Sequence, residues 1–308
     1  MTLTPDEVTS LIKKNIPDAE IDITDLKGDN NHYHAKIVSS KFKGLSKINQ
    51  HKLVYQALGK HMGTTLHALM PQKCVLHVHC VNTISWLVRE DFYKEIAELL
   101  KGISWRFVEY KKPGIELTRA VKKAIKKTFP EVILLCNHGF VAGANTPEEV
   151  YELVKKVSKR LEVQPLKINF IKESEEIKSL EDSNYKLPFC KELHELAFSK
   201  NAISIITGGC LFPDQVVFLG NKFEIYDYQT YIDFKNKDFI DKKRVIIIPN
   251  KGILIPVHFQ KTEEHILFSI LLIVQRIPLS TKIRYLTKNQ VYELVNWNAE
   301  KYRKLINN

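Results

Sequence analysis

The sequence is poor in cysteine, and its five, Cys74, Cys80, Cys136, Cys190 and Cys210, include no Cys-x-x-Cys pair. An odd number without a pairing framework argues against a disulfide-stapled secreted fold and predicts reduced thiols in the cytoplasm. Long apolar runs are also missing. The longest, Ile266 to Val274, is well short of the ~20 residues of a bilayer span, so it is expected to be a buried helix and no membrane contact is expected. The opening segment MTLTPDEVTSLIKK is charged where a secretory signal would be apolar. Nor is there a concentrated basic face. Lys and Arg exceed Asp and Glu by 46 to 35, but the lysines are spread along the whole chain among Ile and Asn, which is how solvated faces look and argues against nucleic acid as a partner. No internal repeat or low-complexity tract is present.

What is present is enough apolar matter for ordinary folding: 44% hydrophobic against 26% charged over 308 residues allows two domains, each with its own core. Thr4-Pro5-Asp6-Glu7 is a capping box with proline at the first helical position, so a helix should run from here to about Asn15. AEIDITDL and HYHAKIVSS alternate apolar and polar residues around the loop KGDNN, the pattern of two short strands. SKINQHKLVYQALGKHM has helical spacing, and a closing strand is expected near Thr65 to Leu69.

From Cys74 the pattern becomes α/β. Strand CVLHVHC, helix DFYKEIAELLKG, strand WRFVEY, helix PGIELTRAVKKAIKKTF and strand EVILLC precede a helix opened by Thr146-Pro147-Glu148-Glu149. A charged stretch, KESEEIKSLEDSNYK, marks a boundary. Beyond it strands are expected at SIITGG, QVVFLG and RVIIIP, then the ILFSILLIV helix and a terminal helix capped at Thr287 to Gln290.

The string FKGLSKINQHKLVYQALGKHMGTTLHAL resembles the BolA family in its Phe-x-Gly, its His-x-x-Val helix and its closing His-Ala-Leu strand. The resemblance covers residues 1 to about 70. It implies that His67 helps ligate a [2Fe-2S] cluster shared with a monothiol glutaredoxin, and that a loop residue between the first two strands is the second ligand. The loop offers His32 or His34 and no cysteine; His32 is the residue assigned. Imidazole replaces thiolate on one iron of some [2Fe-2S] clusters, so the chemistry allows this donor set.

Residues two apart on a strand share a face, so His77 and His79 in VLHVHC project together. His138, in the Asn-His-Gly that ends the apolar strand VILLC, can supply a third imidazole, and three neutral imidazoles with an open position are the donor set of a catalytic zinc. Taken alone, a His-x-His in a strand is more often packing than metal ligation.

HALMPQKCVLHVHCVNTISW, EYKKPGIELTRAVKKAI and VILLCNHGFVAGANTPEEVYELVKKV resemble the class II aldolase/adducin family, in particular members related to rhamnulose-phosphate aldolase. LFPDQVVFLG, IIIPNKGILIP and LTKNQVYELVNWNAEKY resemble a C-terminal extension of some members, so this resemblance covers about residues 64–308. It implies zinc on His77, His79 and His138, polarising substrate oxygens in retro-aldol cleavage. It also implies a glutamate four residues before the Leu-His histidine, where this chain has Gly63, and an opening segment with a phosphate-binding turn that this chain lacks. No catalytic residue is therefore assigned.

The expected fold class is α/β: an α+β domain of BolA type over residues 1–70, a truncated class II aldolase-like three-layer α/β/α zinc domain over 71–171, and a C-terminal α/β extension over 187–308. Leu66-His67-Ala68-Leu69 belongs to both resemblances, as a strand in one and a helix in the other, which points to a fusion whose crossover fell in this shared string. Two functions follow. The first is a glutaredoxin-partner module joined to a zinc-binding domain with impaired catalysis. The rival is a zinc-dependent lyase acting on a small sugar phosphate, and Gly63 discriminates between them. A homo-oligomer is allowed for in either case.

Overall fold

The computed structural model describes residues 4–25, 33–45, 50, 53, 54, 57, 69–125, 129–168, 175–236 and 244–296. The chain is mixed α/β and forms two compact units, one of Met1–His77, Ile103–Leu134 and Val141–Val154, the other of Val78–Gly102, Leu135–Phe140 and Lys155–Asn308.

In the first unit, helix α1 (Pro5–Asn15) starts where the capping box places it: Thr4 Oγ1 accepts from Glu7 N at 3.3 Å and Glu7 Oε2 accepts from Thr4 N at 2.7 Å. Strands β1 (Glu20–Asp25) and β2 (Tyr33–Val38) pair antiparallel from Glu20↔Val38 to Asp25↔Tyr33. Their inward residues Ile21, Ile23 and Ile37 close over Val8, Ile12 and Ile16 of the helix side, with Leu53, Val54 and Ala57 completing the cluster. Asp18 joins the ends of the hairpin, accepting from Ser40 N at 2.7 Å and from Ser40 Oγ at 2.6 Å. Most of the helix expected over residues 46–62 lies outside the described residues. Of the strand expected at Thr65–Leu69, only Leu69 is described, and it is helical.

A four-stranded sheet in the order β3-β6-β5-β4 runs chiefly through the same unit: β3 is Cys74–Val78, β4 Trp105–Val108, β5 Val132–Leu135 and β6 Gly139–Ala144. Val132 to Leu135 are all buried, as a continuous apolar run between two strands should be. Gln72 and Pro130 tie the sheet's entry together, Gln72 Nε2 donating to the Pro130 carbonyl at 3.0 Å.

In the second unit, helix α2 (Val81–Leu87) is followed by α3 (Tyr93–Leu99). A second four-stranded sheet has the order β7-β10-β9-β8, from Tyr185–Lys186, Gly252–Pro256, Ile246–Ile248 and Glu224–Ile225. Alternation along β9 and β10 divides its side chains between two apolar layers. Ile247, Ile253 and Ile255 join a cluster with Leu267, Ile270 and Leu271, and Ile246, Ile248 and Leu254 join one with Ile177, Tyr185 and Tyr231. The expected apolar helix is Lys261–Val274, and its burial on several sides explains its lack of charge after the first turn.

Two expected strands are helical instead. SIITGG belongs to Lys200–Gly208, a helix capped by Ser199, whose Oγ accepts from Ala202 N at 3.1 Å; its buried residues Ala202, Ile205 and Ile206 have helical spacing. Gln215–Leu219, the core of QVVFLG, is a π-helical turn in which Gln215, Val216, Phe218 and Leu219 are all buried. A short apolar run buried on most sides has no period by which helix and strand can be told apart.

Candidate metal centre

The site is built where strand β3 ends and where β5 turns into β6. His77 lies within β3 and His79 one residue beyond it, both half-buried. His138 lies in the turn Leu135–His138, closed by a hydrogen bond from His138 N to the Leu135 carbonyl at 3.1 Å. The turn requires positive φ at Asn137 (52°), which asparagine tolerates better than most residues. It also requires glycine at 139: φ is 148°, and a Cβ there would lie 2.3 Å from the Val78 carbonyl oxygen. Gly139 thus lets the turn that holds His138 lie against the backbone just before His79.

Among the described residues, His77, His79 and His138 each offer a ligand atom, all within 4.8 Å of one another. The His79 and His138 rings meet nearly edge to face, with centroids 4.7 Å apart and planes 65° apart. His138 is buried. The donor set fits a borderline cation such as zinc: three imidazoles, which bind as neutral rings.

A carboxylate that the sequence reading missed stands behind one ring. Asp214 is buried, and its Oδ2 lies 2.6 Å from His79 Nδ1. Its sequence signal was an acid inside the apolar LFPDQVVF, a residue type seldom buried without a partner. Asn137 reaches the same segment, its Nδ2 donating to the carbonyls of Leu211 at 2.8 Å and Arg284 at 2.7 Å. The backbone N–H of Leu211 donates in turn to Gln215 Oε1 at 2.8 Å.

Of the residues assigned to the iron-sulfur site, His67 and His32 lie outside the described residues, as does Gly63. His34 is in β2, opposite Thr24.

The N-terminal helix, hairpin and apolar cluster are those of a small α+β domain, and residues 13–73 match the family of BolA-like proteins. Through this domain the chain belongs to the BolA-like family. The uncharacterized protein RP812 of Rickettsia prowazekii is 44% identical over 69 residues, 22% of this chain and 90% of that protein. Human BolA-like protein 1 is 42% identical over 45 residues, which is 15% of this chain and a third (33%) of that protein. The uncharacterized oxidoreductase YuxG of Bacillus subtilis is 33% identical over 90 residues, 29% of this chain but 13% of that protein. The chain therefore spans nearly all of the first relative and only a minor part of the other two.

Proposed function

We propose that the chain is a BolA-like module that shares a [2Fe-2S] cluster with a monothiol glutaredoxin, joined to a class II aldolase-like unit that binds zinc and has lost efficient catalysis. The BolA-like domain over residues 13–73 supports the first half, with His67 and a loop histidine, His32, as the cluster ligands. The gathering of His77, His79 and His138 supports the second. When bound, zinc would act as a Lewis acid toward carbonyl and hydroxyl oxygens of a small ligand. The chain's own contribution is to hold three neutral imidazoles together at the end of one strand and in one strand-to-strand turn, with His77 and His79 half-open to solvent.

Two measurements test the halves separately. Co-expression with a monothiol glutaredoxin is expected to yield a complex absorbing in the visible, and His67→Ala to weaken it; a mutant complex with its full spectrum removes His67 as a ligand. Metal analysis of the purified chain is expected to find stoichiometric zinc, and His79→Ala to lower it sharply, because two imidazoles fall short of the usual set of three protein ligands. Undiminished zinc in that variant would rule this site out.

A further inference from the structure

We infer that Asp214 is a positioning residue of the metal centre: through its contact with His79 it fixes the tautomer and orientation of that ring, and so makes metal binding depend on the C-terminal part of the chain. The inference rests on the metal-centre reading and adds to it a residue outside the ligand set.

The contact is short, 2.6 Å between Asp214 Oδ2 and His79 Nδ1, and the two residues are 135 positions apart in sequence. An ionised Asp214 would only accept, which puts the proton between them on Nδ1 and, in the neutral ring, leaves the lone pair on Nε2. Metal-binding histidines are held this way, the nitrogen that does not ligate donating to a carboxylate or carbonyl. Burial strengthens the case. Taking a carboxylate out of water is costly unless it is compensated, and Asp214 is only 4% exposed.

The segment around Asp214 is also tied to the other side of the site. Asn137, the residue before His138, donates to the Leu211 carbonyl, and the Leu211 N–H donates to Gln215. The segment that carries Asp214 is therefore pinned between Asn137, which precedes His138, and Gln215, which follows Asp214. Hydrogen bonds from the Asn137 side chain and to the Gln215 side chain thus flank the residue that contacts His79. Held in this way, His79 presents Nε2 to a metal, which reduces the ordering that binding requires.

The test has two readouts. In the metal-free full-length chain, nitrogen-15 NMR of the imidazoles should find His79 as the Nδ1–H tautomer; an Nε2–H form in the unmodified chain overturns the inference without any variant. Zinc affinity, measured by competition with a chelator, should fall about 10–100-fold in Asp214→Ala and recover in part in Asp214→Glu, with the His138 signals and the melting temperature as controls for the fold. If the unmodified chain binds zinc and Asp214→Ala binds it as tightly, Asp214 has no such role and the three-histidine centre stands. If the unmodified chain itself binds no zinc, the metal-centre reading fails and the inference falls with it.

Discussion

Asp18 shows how a short polar segment can be fixed by a single side chain. It follows α1 directly and accepts from Ser39 and Ser40 at the far end of the β1–β2 hairpin. The side-chain hydrogen bond from Ser40 comes first and the backbone N–H of Ser40 second; together they hold the carboxyl at about 2 rather than its ordinary 3.8. The sign follows from linkage. A carboxyl that ionises more readily when folded stabilises the fold above its unfolded value, and that contribution drains away as the pH falls from 3.8 toward 2. Ser40→Ala removes the first cause, so the Asp18 titration followed by NMR should move up toward 3.8; a midpoint still near 2 would show that the Ser40 hydroxyl is not responsible. None of this was legible beforehand, because Asp18 and Ser40 are ordinary loop residues until the hairpin register brings them together. The gathering of His77, His79 and His138 was legible, since two-residue spacing on a strand and a polar triplet at the end of an apolar run are local patterns. Asp214 was not, being joined to its histidine by the fold alone.

At the scale of elements, the sequence reading succeeded wherever local chemistry decides. Helix starts at Thr4, Thr146 and Thr287 follow from capping boxes that form within four residues. It failed at Lys200–Gly208 and Gln215–Leu219, where tertiary burial rather than periodicity sets the conformation. The β5–β6 turn lies between these cases: Asn-His-Gly announces a turn, but the need for glycine comes from the Val78 carbonyl, far away in sequence. Gly139→Ala combines a disfavoured φ with a backbone clash, and such strained positions cost about 1–3 kcal/mol each. Urea unfolding should therefore show a loss of at least that size, accompanied by weaker zinc binding because His138 shifts with the turn. A variant of unchanged stability would mean that the strand ends tolerate separation and that Gly139 is not what sets the approach.

At the scale of the whole molecule, the proposed function bears on whether the region of aldolase-like resemblance turns over a substrate. Among the described residues no helix is long and apolar enough to cross a membrane, which agrees with the absence of a long apolar run in the sequence. The shared string Leu66 to Leu69 serves both resemblances, and of its residues only Leu69 is described. A positioned general acid/base contributes about 10²–10⁴-fold to a proton-transfer step, and position 63 offers glycine where the aldolase-like pattern has glutamate. The sequence also carries no match to the phosphate-binding turn of that pattern, and substrate positioning is worth several kcal/mol of barrier. Retro-aldol cleavage of rhamnulose 1-phosphate or fuculose 1-phosphate by the zinc-loaded chain is accordingly expected to be absent or very weak in a coupled assay for the aldehyde product. Gly63→Glu returns the acid but not the phosphate turn, so it should raise any residual rate without reaching that of an ordinary enzyme. Should the unmodified chain already cleave either sugar phosphate at rates ordinary for an enzyme, another group is supplying the proton transfer and the chain is a working lyase.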